Sequence, residues 1–195
     1  MPIDLPSGCV AEWQPSLTPA PNRSRSAFGT NAQSYVRAGR HWSFSVSLHA
    51  MASAKAAEWS ELDDESEAVA WPIPQDHLIS GSEGAPRVAG GGQLGSTLNI
   101  DGVTAGLILP KDLFIAVITG GQRYVYRLKS AVTVSGTGTA ALSLRPIIRA
   151  VHADNDVVEL VSPRVEGFAR FTGFVTQPRR GNLTKPTSFT IEELG

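Results

Sequence analysis

Between Trp42 and Leu48 every second residue is apolar, and the three residues between them are Ser43, Ser45 and Ser47. In an extended chain, successive side chains point to opposite faces of a sheet. The pattern therefore predicts a strand with one apolar face in the core and one face of small hydroxyl groups outside it. The pattern alone leaves open whether this hydroxyl face is an active surface, a binding surface or the solvated side of a structural sheet.

The period of the pattern changes after this strand. Apolar residues now recur every three or four positions, which is the spacing of one helix face: Ala52, Ala56, Trp59 and Leu62. Ser53 is a suitable N-cap residue. We therefore predict a helix over Ser53–Glu65 whose apolar side packs on the apolar face of the preceding strand.

Short strand patterns dominate the middle of the chain. Leu113–Ile118 and Arg123–Leu128 flank Gly120-Gly121, a residue pair that suits a tight hairpin turn. Long alternation returns near the C-terminus, from Gly167 onward. We predict a mainly β (α+β) protein in which residues 1–78 and 163–195 form a β-sandwich with one flanking helix. Residues 79–162 form a small β-barrel-like domain inserted into it.

Composition narrows the functional classes. The 195 residues carry a formal net charge of -1, whereas a dedicated nucleic-acid-binding protein usually has a strongly basic face. Cys9 is the only cysteine, so neither an intramolecular disulfide nor a cysteine-based zinc site can form. The N-terminus lacks the pattern of a signal peptide and no apolar run approaches 18 residues, so we expect no membrane insertion.

Three motifs suggest chemistry, and each has a simpler explanation. Gly90–Gly95 matches GxGxxG, but the residues that follow are strand-like, whereas a dinucleotide site needs a helix there. Ser47 and His49 lie about 7 Å apart along a strand, too far for a nucleophile and its base. Asp154–Asp156 lacks the later ligands of a calcium loop. We predict no catalytic residue, no cofactor and no metal site.

Two charged segments stand out. Six acidic residues lie close together at the end of the predicted helix: Glu58, Glu61, Asp63, Asp64, Glu65 and Glu67. Acidic residues late in a helix oppose its dipole, so their position calls for another explanation. Arg179 and Arg180 form a small basic turn that could meet an acidic surface.

The order of these segments resembles a known family. The strand GRHWSFSVSL leads into AKAAEWSELDDES, and GAPRVAGGGQLGSTLNIDG precedes LFIAVITGGQRYVYRLKSAVTVSGTGTAALSLRPIIRA. The chain finishes GFARFTGFVTQPRRGNLTKPTSFTIEEL. From about Ser34 onward this order resembles the distal tail or tail-tip hub (baseplate) structural proteins of long-tailed bacteriophages and prophages.

The resemblance implies a virion protein, made in the host cytoplasm, that assembles with copies of itself into a ring, commonly a hexamer. Its other partners would be the tail tube protein and the tail hub and tip proteins, and DNA would pass through without specific binding. The oligomer-interface or lumen candidates are the hydroxyl strand, the acidic segment and the basic turn: Ser43, Ser45, Ser47, Glu61, Asp63, Asp64, Glu65, Arg179 and Arg180.

Other functions remain open from the residues alone. The middle domain could be a carbohydrate-binding, host-recognition module in which Tyr124, Tyr126 or Trp71 stacks on sugar rings, although both tyrosines suit a barrel core equally well. The chain could also be another tube or hub component. A tail-tip enzyme such as a peptidase or muramidase would need a paired carboxylate or a Cys/His site, and only Cys9 points in that direction.

Overall fold

The structure is a computed structural model of the chain, and it shows a mainly β protein. The described residues are 2–5, 10–18, 23–25, 32–34, 40–52, 54, 55, 59, 68–172, 183, 184 and 188–194. Within them lie a six-stranded sheet, a closed six-stranded barrel and three two-stranded sheets. The predicted mainly β class is confirmed.

The strands are numbered in chain order. Those of the six-stranded sheet are β1 (Ile3–Asp4), β2 (Val10–Leu17), β5 (Trp42–Leu48), β7 (Val69–Pro72), β16 (Arg164–Thr172) and β18 (Ser188–Glu193). Those of the barrel are β8 (Gly84–Val88), β9 (Thr97–Val103), β11 (Phe114–Thr119), β12 (Gln122–Leu128), β14 (Ala140–Arg145) and β15 (Val157–Glu159). The short pairs are β3 (Arg23–Arg25) with β4 (Ala32–Ser34), β6 (Met51–Ala52) with β17 (Leu183–Thr184), and β10 (Ile108–Leu109) with β13 (Val132–Thr133). A 3-10 turn spans Asp76–Leu78.

The six-stranded sheet has the order β1-β7-β16-β18-β5-β2. Only the pairing of β1 with β7 is parallel, and the other four pairings are antiparallel. On β5 the predicted alternation is confirmed, because its four apolar side chains are buried while Ser45 and Ser47 are exposed and Ser43 is half-buried. Pro15 lies on β2 at the end of the sheet, where a missing N–H costs least.

Part of the predicted helix Ser53–Glu65 is described. Ala54, Lys55 and Trp59 are helical, and the remaining residues of that prediction lie outside the described residues. The Trp59 side chain is buried in the same core cluster as the apolar face of β5. Its ring lies 5.6 Å from that of Phe189. Trp59 therefore packs on the apolar face of the sheet, as predicted for this residue.

The barrel closes in the order β11-β12-β14-β9-β8-β15 around its own apolar core. The predicted hairpin at Gly120-Gly121 is confirmed: β11 and β12 pair antiparallel, and the two glycines have φ of +61° and +83°. Two positive φ values in succession are the requirement of a type I′ turn, and glycine meets it without steric cost. This turn fixes the register of the two strands that face the sheet.

All six barrel strands lie between Gly84 and Glu159, and the strands of the six-stranded sheet lie before and after that range. The chain leaves the sheet after β7 and returns in β16, and these two strands are antiparallel neighbours with Pro72 opposite Arg164. The barrel is thus part of a very long connection between two adjacent strands of the sheet.

Gly167 allows β16 and β18 to approach each other. A Cβ atom built on Gly167 would lie 1.9 Å from the backbone oxygen of Glu192, well inside van der Waals contact. The pairing therefore needs a residue without a side chain at this point. By contrast, a Cβ on Gly136, in an exposed turn of the barrel, meets no atom within 4 Å.

We predict that Gly167→Ala lowers the free energy of unfolding by about 1–3 kcal/mol, because one strand must shift to relieve the clash. Gly136→Ala is the control and should change the free energy by less than about 0.5 kcal/mol. Urea unfolding followed by tryptophan fluorescence measures both. Equal stability of the two variants would contradict the role given to Gly167.

Candidate functional site

The predicted hydroxyl strand lies in the interior of a broader polar surface. Across the outer face of the sheet, the register of β2, β5, β18 and β16 forms three rows. The rows are Ser16, Ser43, Glu192 and Phe168; Gln14, Ser45, Thr190 and Arg170; and Glu12, Ser47, Ser188 and Thr172. We call these twelve residues the polar sheet face. Phe168, 43% exposed, is their only large apolar member.

The acidic and basic segments, which are predicted to face a lumen or a neighbouring subunit, form no part of the described structure. Glu61, Asp63, Asp64, Glu65, Arg179 and Arg180 lie outside the described residues. Their contact with a lumen or with a neighbouring subunit stays a prediction. The polar sheet face itself carries two acids, Glu12 and Glu192, and one base, Arg170.

A second group of residues connects the barrel to the sheet, and Glu193 is at its centre. The Glu193 side chain comes from β18 and is completely buried. One carboxylate oxygen accepts a hydrogen bond from Trp42 N on β5 at 2.9 Å, and the other accepts one from Val125 N on β12 at 2.7 Å. The second oxygen also forms an ion pair with Arg149, whose side chain is 6% exposed. One carboxylate therefore joins two strands of the sheet to the barrel.

Arg123 makes a second connection. Its guanidinium pairs with Glu159 of the barrel and with Glu166 of β16, and its backbone N–H donates to Glu166 at 3.2 Å. Burial disfavours the charged guanidinium, but the hydrogen bonds and charges of Glu159 and Glu166 outweigh it and raise the pKa of Arg123. An arginine flanked by two carboxylates stays charged and fixed in orientation.

Gln75 makes the third connection. Its side-chain amide forms hydrogen bonds with backbone groups of the barrel, as a neighbouring strand would. Its Nε2 donates to the carbonyls of Phe114 at 2.7 Å and Leu160 at 2.9 Å, and its Oε1 accepts from Phe114 N at 2.9 Å. The ring of Phe114 leaves the barrel and enters the sheet core, 5.1 Å from Trp42 and 5.6 Å from Phe44. We call these contacts, with those of Glu193 and Arg123, the barrel–sheet joint.

A buried histidine lies close to the joint. His152 is fully buried, with Nδ1 2.7 Å from Thr119 Oγ1 and Nε2 3.0 Å from Tyr126 Oη. Burial lowers the pKa of His152, Asp156 partly opposes that decrease, and Arg149 adds to it. Burial also raises the pKa of Tyr126. Both groups are therefore neutral near pH 7.

Two of the aromatic residues considered for sugar stacking are not available for it. Trp71 and Tyr126 are 1% and 0% exposed, so the stacking alternative is wrong for both side chains. Trp71 packs in the sheet core, and Tyr126 packs in the barrel core. Tyr124 is half-buried against the barrel core, with its ring 5.7 Å from that of His152. The core interpretation is confirmed for Tyr126, and Tyr124 packs against the same core while staying partly exposed.

The glycine-rich motif and the acidic turn have structural roles. Residues 89–96 form a loop that enters strand β9, so the helix required for a dinucleotide site does not follow. Asp154 accepts a hydrogen bond from Gly90 N at 2.8 Å, which ties the loop to the turn. Within the described residues, no group of three or more His, Cys, Asp or Glu side chains could hold a metal ion. Nor does any helix in that part of the chain have the length and apolar character to cross a membrane.

Sequence reasoning missed the joint, although one indication was present. In Ser188–Glu193 the buried positions are Phe189, Ile191 and Glu193, so a carboxylate occupies a position that the alternation assigns to the core. A charged residue at a core position needs a buried partner. Its partner, Arg149, follows no strand pattern and could not be identified from spacing.

We predict that Glu193→Gln lowers the free energy of unfolding by about 3–5 kcal/mol. The substitution removes the carboxylate that contacts the buried guanidinium of Arg149 and replaces one acceptor by a donor. Asp112→Asn is the control, because Asp112 is half exposed where it pairs with Arg127, and it should cost less than about 1 kcal/mol. Urea unfolding measures both, and similar losses would contradict a central role for Glu193.

Comparison with known proteins adds no family to this description. No protein-family model matches the sequence, and no curated protein matches it either. The polar sheet face and the barrel–sheet joint are therefore interpreted from their own geometry. Together they describe a sheet joined to a barrel by largely buried contacts, with one broad polar surface on the sheet.

Proposed function

We propose that the protein is a structural component of a phage tail. In this proposal it forms a ring at the distal end of the tail, joins the tail tube to the tail tip or hub, and lets DNA pass. Its ring-forming part is a β-sandwich with one flanking helix, and the inserted barrel is held at a fixed angle to it. The observation that carries the proposal is the polar sheet face.

The chemistry of that face suits a ring. The interior strand β5 contributes only hydroxyl groups to it, and these small side chains let another protein surface approach closely. Binding of DNA phosphates requires clustered Lys and Arg side chains. The polar sheet face has only Arg170 against the two carboxylates of Glu12 and Glu192. Such a face can border a DNA passage without retaining the DNA.

The barrel–sheet joint supports the same proposal. A connector has to transmit position from one assembly to the next, and a flexible linker would not do so. Three polar connections and the inserted ring of Phe114 fix the barrel against the sheet. The residues of this joint are nearly all buried, which suits a mechanical role rather than a binding site.

The location of the protein tests the function directly. Gold-labelled antibody against this chain should mark the distal end of the tail in electron micrographs of particles from the phage or prophage that encodes it. Label on the head, along the tail shaft or on no particle at all would overturn the proposal.

We predict that Ser45→Arg leaves folding unchanged but prevents assembly. Ser45 is exposed, so the free energy of unfolding should change by less than about 0.5 kcal/mol. A long cation in a closely packed contact should cost at least about 1.4 kcal/mol per subunit contact, or tenfold in affinity. The measurement is the yield of tailed, infectious particles when the variant complements a phage that lacks this gene.

Ser130→Arg is the matched control, because Ser130 is an exposed serine on the barrel, away from the polar sheet face. It should give a normal yield of particles. Normal particles from Ser45→Arg would show that this face contacts solvent only.

A further inference from the structure

We propose that His152 is an acid-sensitive switch of the barrel–sheet joint. Protonation of its imidazole frees residues 149–152 from the barrel, and this withdraws Arg149 from Glu193. The inference holds whatever assembly the protein joins, because it depends on contacts within one chain.

The hydrogen bonds around His152 define where each proton lies. The hydroxyl of Thr119 donates to the carboxylate of Asp156, which can only accept. Thr119 Oγ1 must therefore accept from His152, so the neutral ring carries its proton on Nδ1. Nε2 is then an acceptor, and the hydroxyl of Tyr126 donates to it. The oxygen of Tyr126 in turn accepts from the backbone N–H of Arg149 at 3.2 Å.

This chain of hydrogen bonds has no place for a second proton on His152. A proton on Nε2 would point at Tyr126 Oη and displace the hydroxyl hydrogen that now lies between them. Tyr126 is 0% exposed and its hydroxyl has no second acceptor among the contacts of the described residues, so the displaced hydrogen would be buried unpaired. A buried donor without an acceptor is unfavourable.

The charges around the ring do not remove this conflict. Asp156 favours the imidazolium, but its Oδ2 already accepts hydrogen bonds from Thr119 Oγ1 and from the backbone N–H of Ala153. Arg149, which lies over the ring of Tyr126, repels it. The rings of Tyr124 and Tyr126 meet the imidazole edge-on. Loop 89–96, whose Gly92 N–H donates to the carbonyl of His152, contributes no titratable group, and Asp154 is engaged by that loop.

The segment that must move to relieve the conflict also holds the joint. Water reaches the imidazolium only if residues 149–152 separate from Tyr126. Those residues include Arg149, which contacts Glu193 and the carbonyl of Val125. Withdrawal of Arg149 leaves Glu193 with two backbone donors and no counter-charge among the contacts described. The joint is therefore weakened at its most buried connection.

The direction of the pH dependence follows from linkage. An exposed histidine has a pKa of about 6.5, and the buried ring has a lower one, so protons bind preferentially to the opened joint. Opening should increase by up to about tenfold for each pH unit below about 6.5. Above that pH both states are neutral and opening does not change.

Hydrogen exchange of the full chain between pH 7.5 and 5.5 tests the switch. The probes are the backbone N–H groups of Val125 and Trp42, which both donate to Glu193, with rates corrected for intrinsic exchange. Their protection should decrease as the pH is lowered. The protection of Leu128 N–H, which is bonded to the Leu113 carbonyl inside the barrel, should stay constant. Constant protection at the joint would overturn the proposal, and so would an equal fall at Leu128, which would indicate global unfolding.

Three variants assign the effect to its group. His152→Gln should abolish the pH dependence at Val125 and Trp42. Tyr126→Phe keeps the ring but removes the hydroxyl that protonation would displace, so it should reduce the pH dependence. This variant replaces His152→Gln in the test if His152→Gln does not fold. His77→Gln is the control, because His77 is exposed, and it should respond like the unaltered chain. An unchanged response in His152→Gln, or its loss in His77→Gln, would overturn the assignment.

Discussion

A carboxylate in the interior of a protein must be compensated on every side, and Glu193 shows how much structure that requires. Its oxygens need Trp42 N from β5, Val125 N from β12 and the guanidinium of Arg149, so three separate parts of the chain have to meet at one point. Buried ion pairs contribute little to stability compared with apolar packing, yet they are costly to separate. The pair therefore sets the orientation of barrel and sheet more than it adds to their stability.

Apolar contacts also hold the barrel against the sheet close to Glu193. The ring of Phe114 is attached to the barrel but packs among the aromatic side chains of the sheet, and Ala116 and Val125 accompany it in that cluster. The opposite side of β11, including Ile115 and Val117, belongs to the barrel core. One strand thus has its two faces in two cores, so the barrel contributes side chains to the core of the sheet.

How far the sequence predicts this structure depends on the range of each interaction. The alternation on β5 and the turn at Gly120-Gly121 are local, and both were predicted. Burial of Tyr126 depends on barrel closure, and the partners of Glu193 and Gln75 lie up to 151 residues away, at Trp42 in the case of Glu193. No period of two or 3.6 residues carries information about such pairs. Of the candidate site, the three serines could be placed on one face of a strand from the sequence. None of the contacts of the barrel–sheet joint could be predicted.

The adjacency of β7 and β16 has an evolutionary meaning. Because the chain leaves and re-enters the sheet at neighbouring positions, with Pro72 opposite Arg164, the sheet could be closed there by an ordinary short turn. An ancestor without the barrel is thus structurally conceivable, and other inserts could occupy the same place. Such an exchange would be restricted by Glu166 and Glu193, whose partners Arg123 and Arg149 belong to the insert. In related chains these acidic and basic residues should accordingly be gained or lost together.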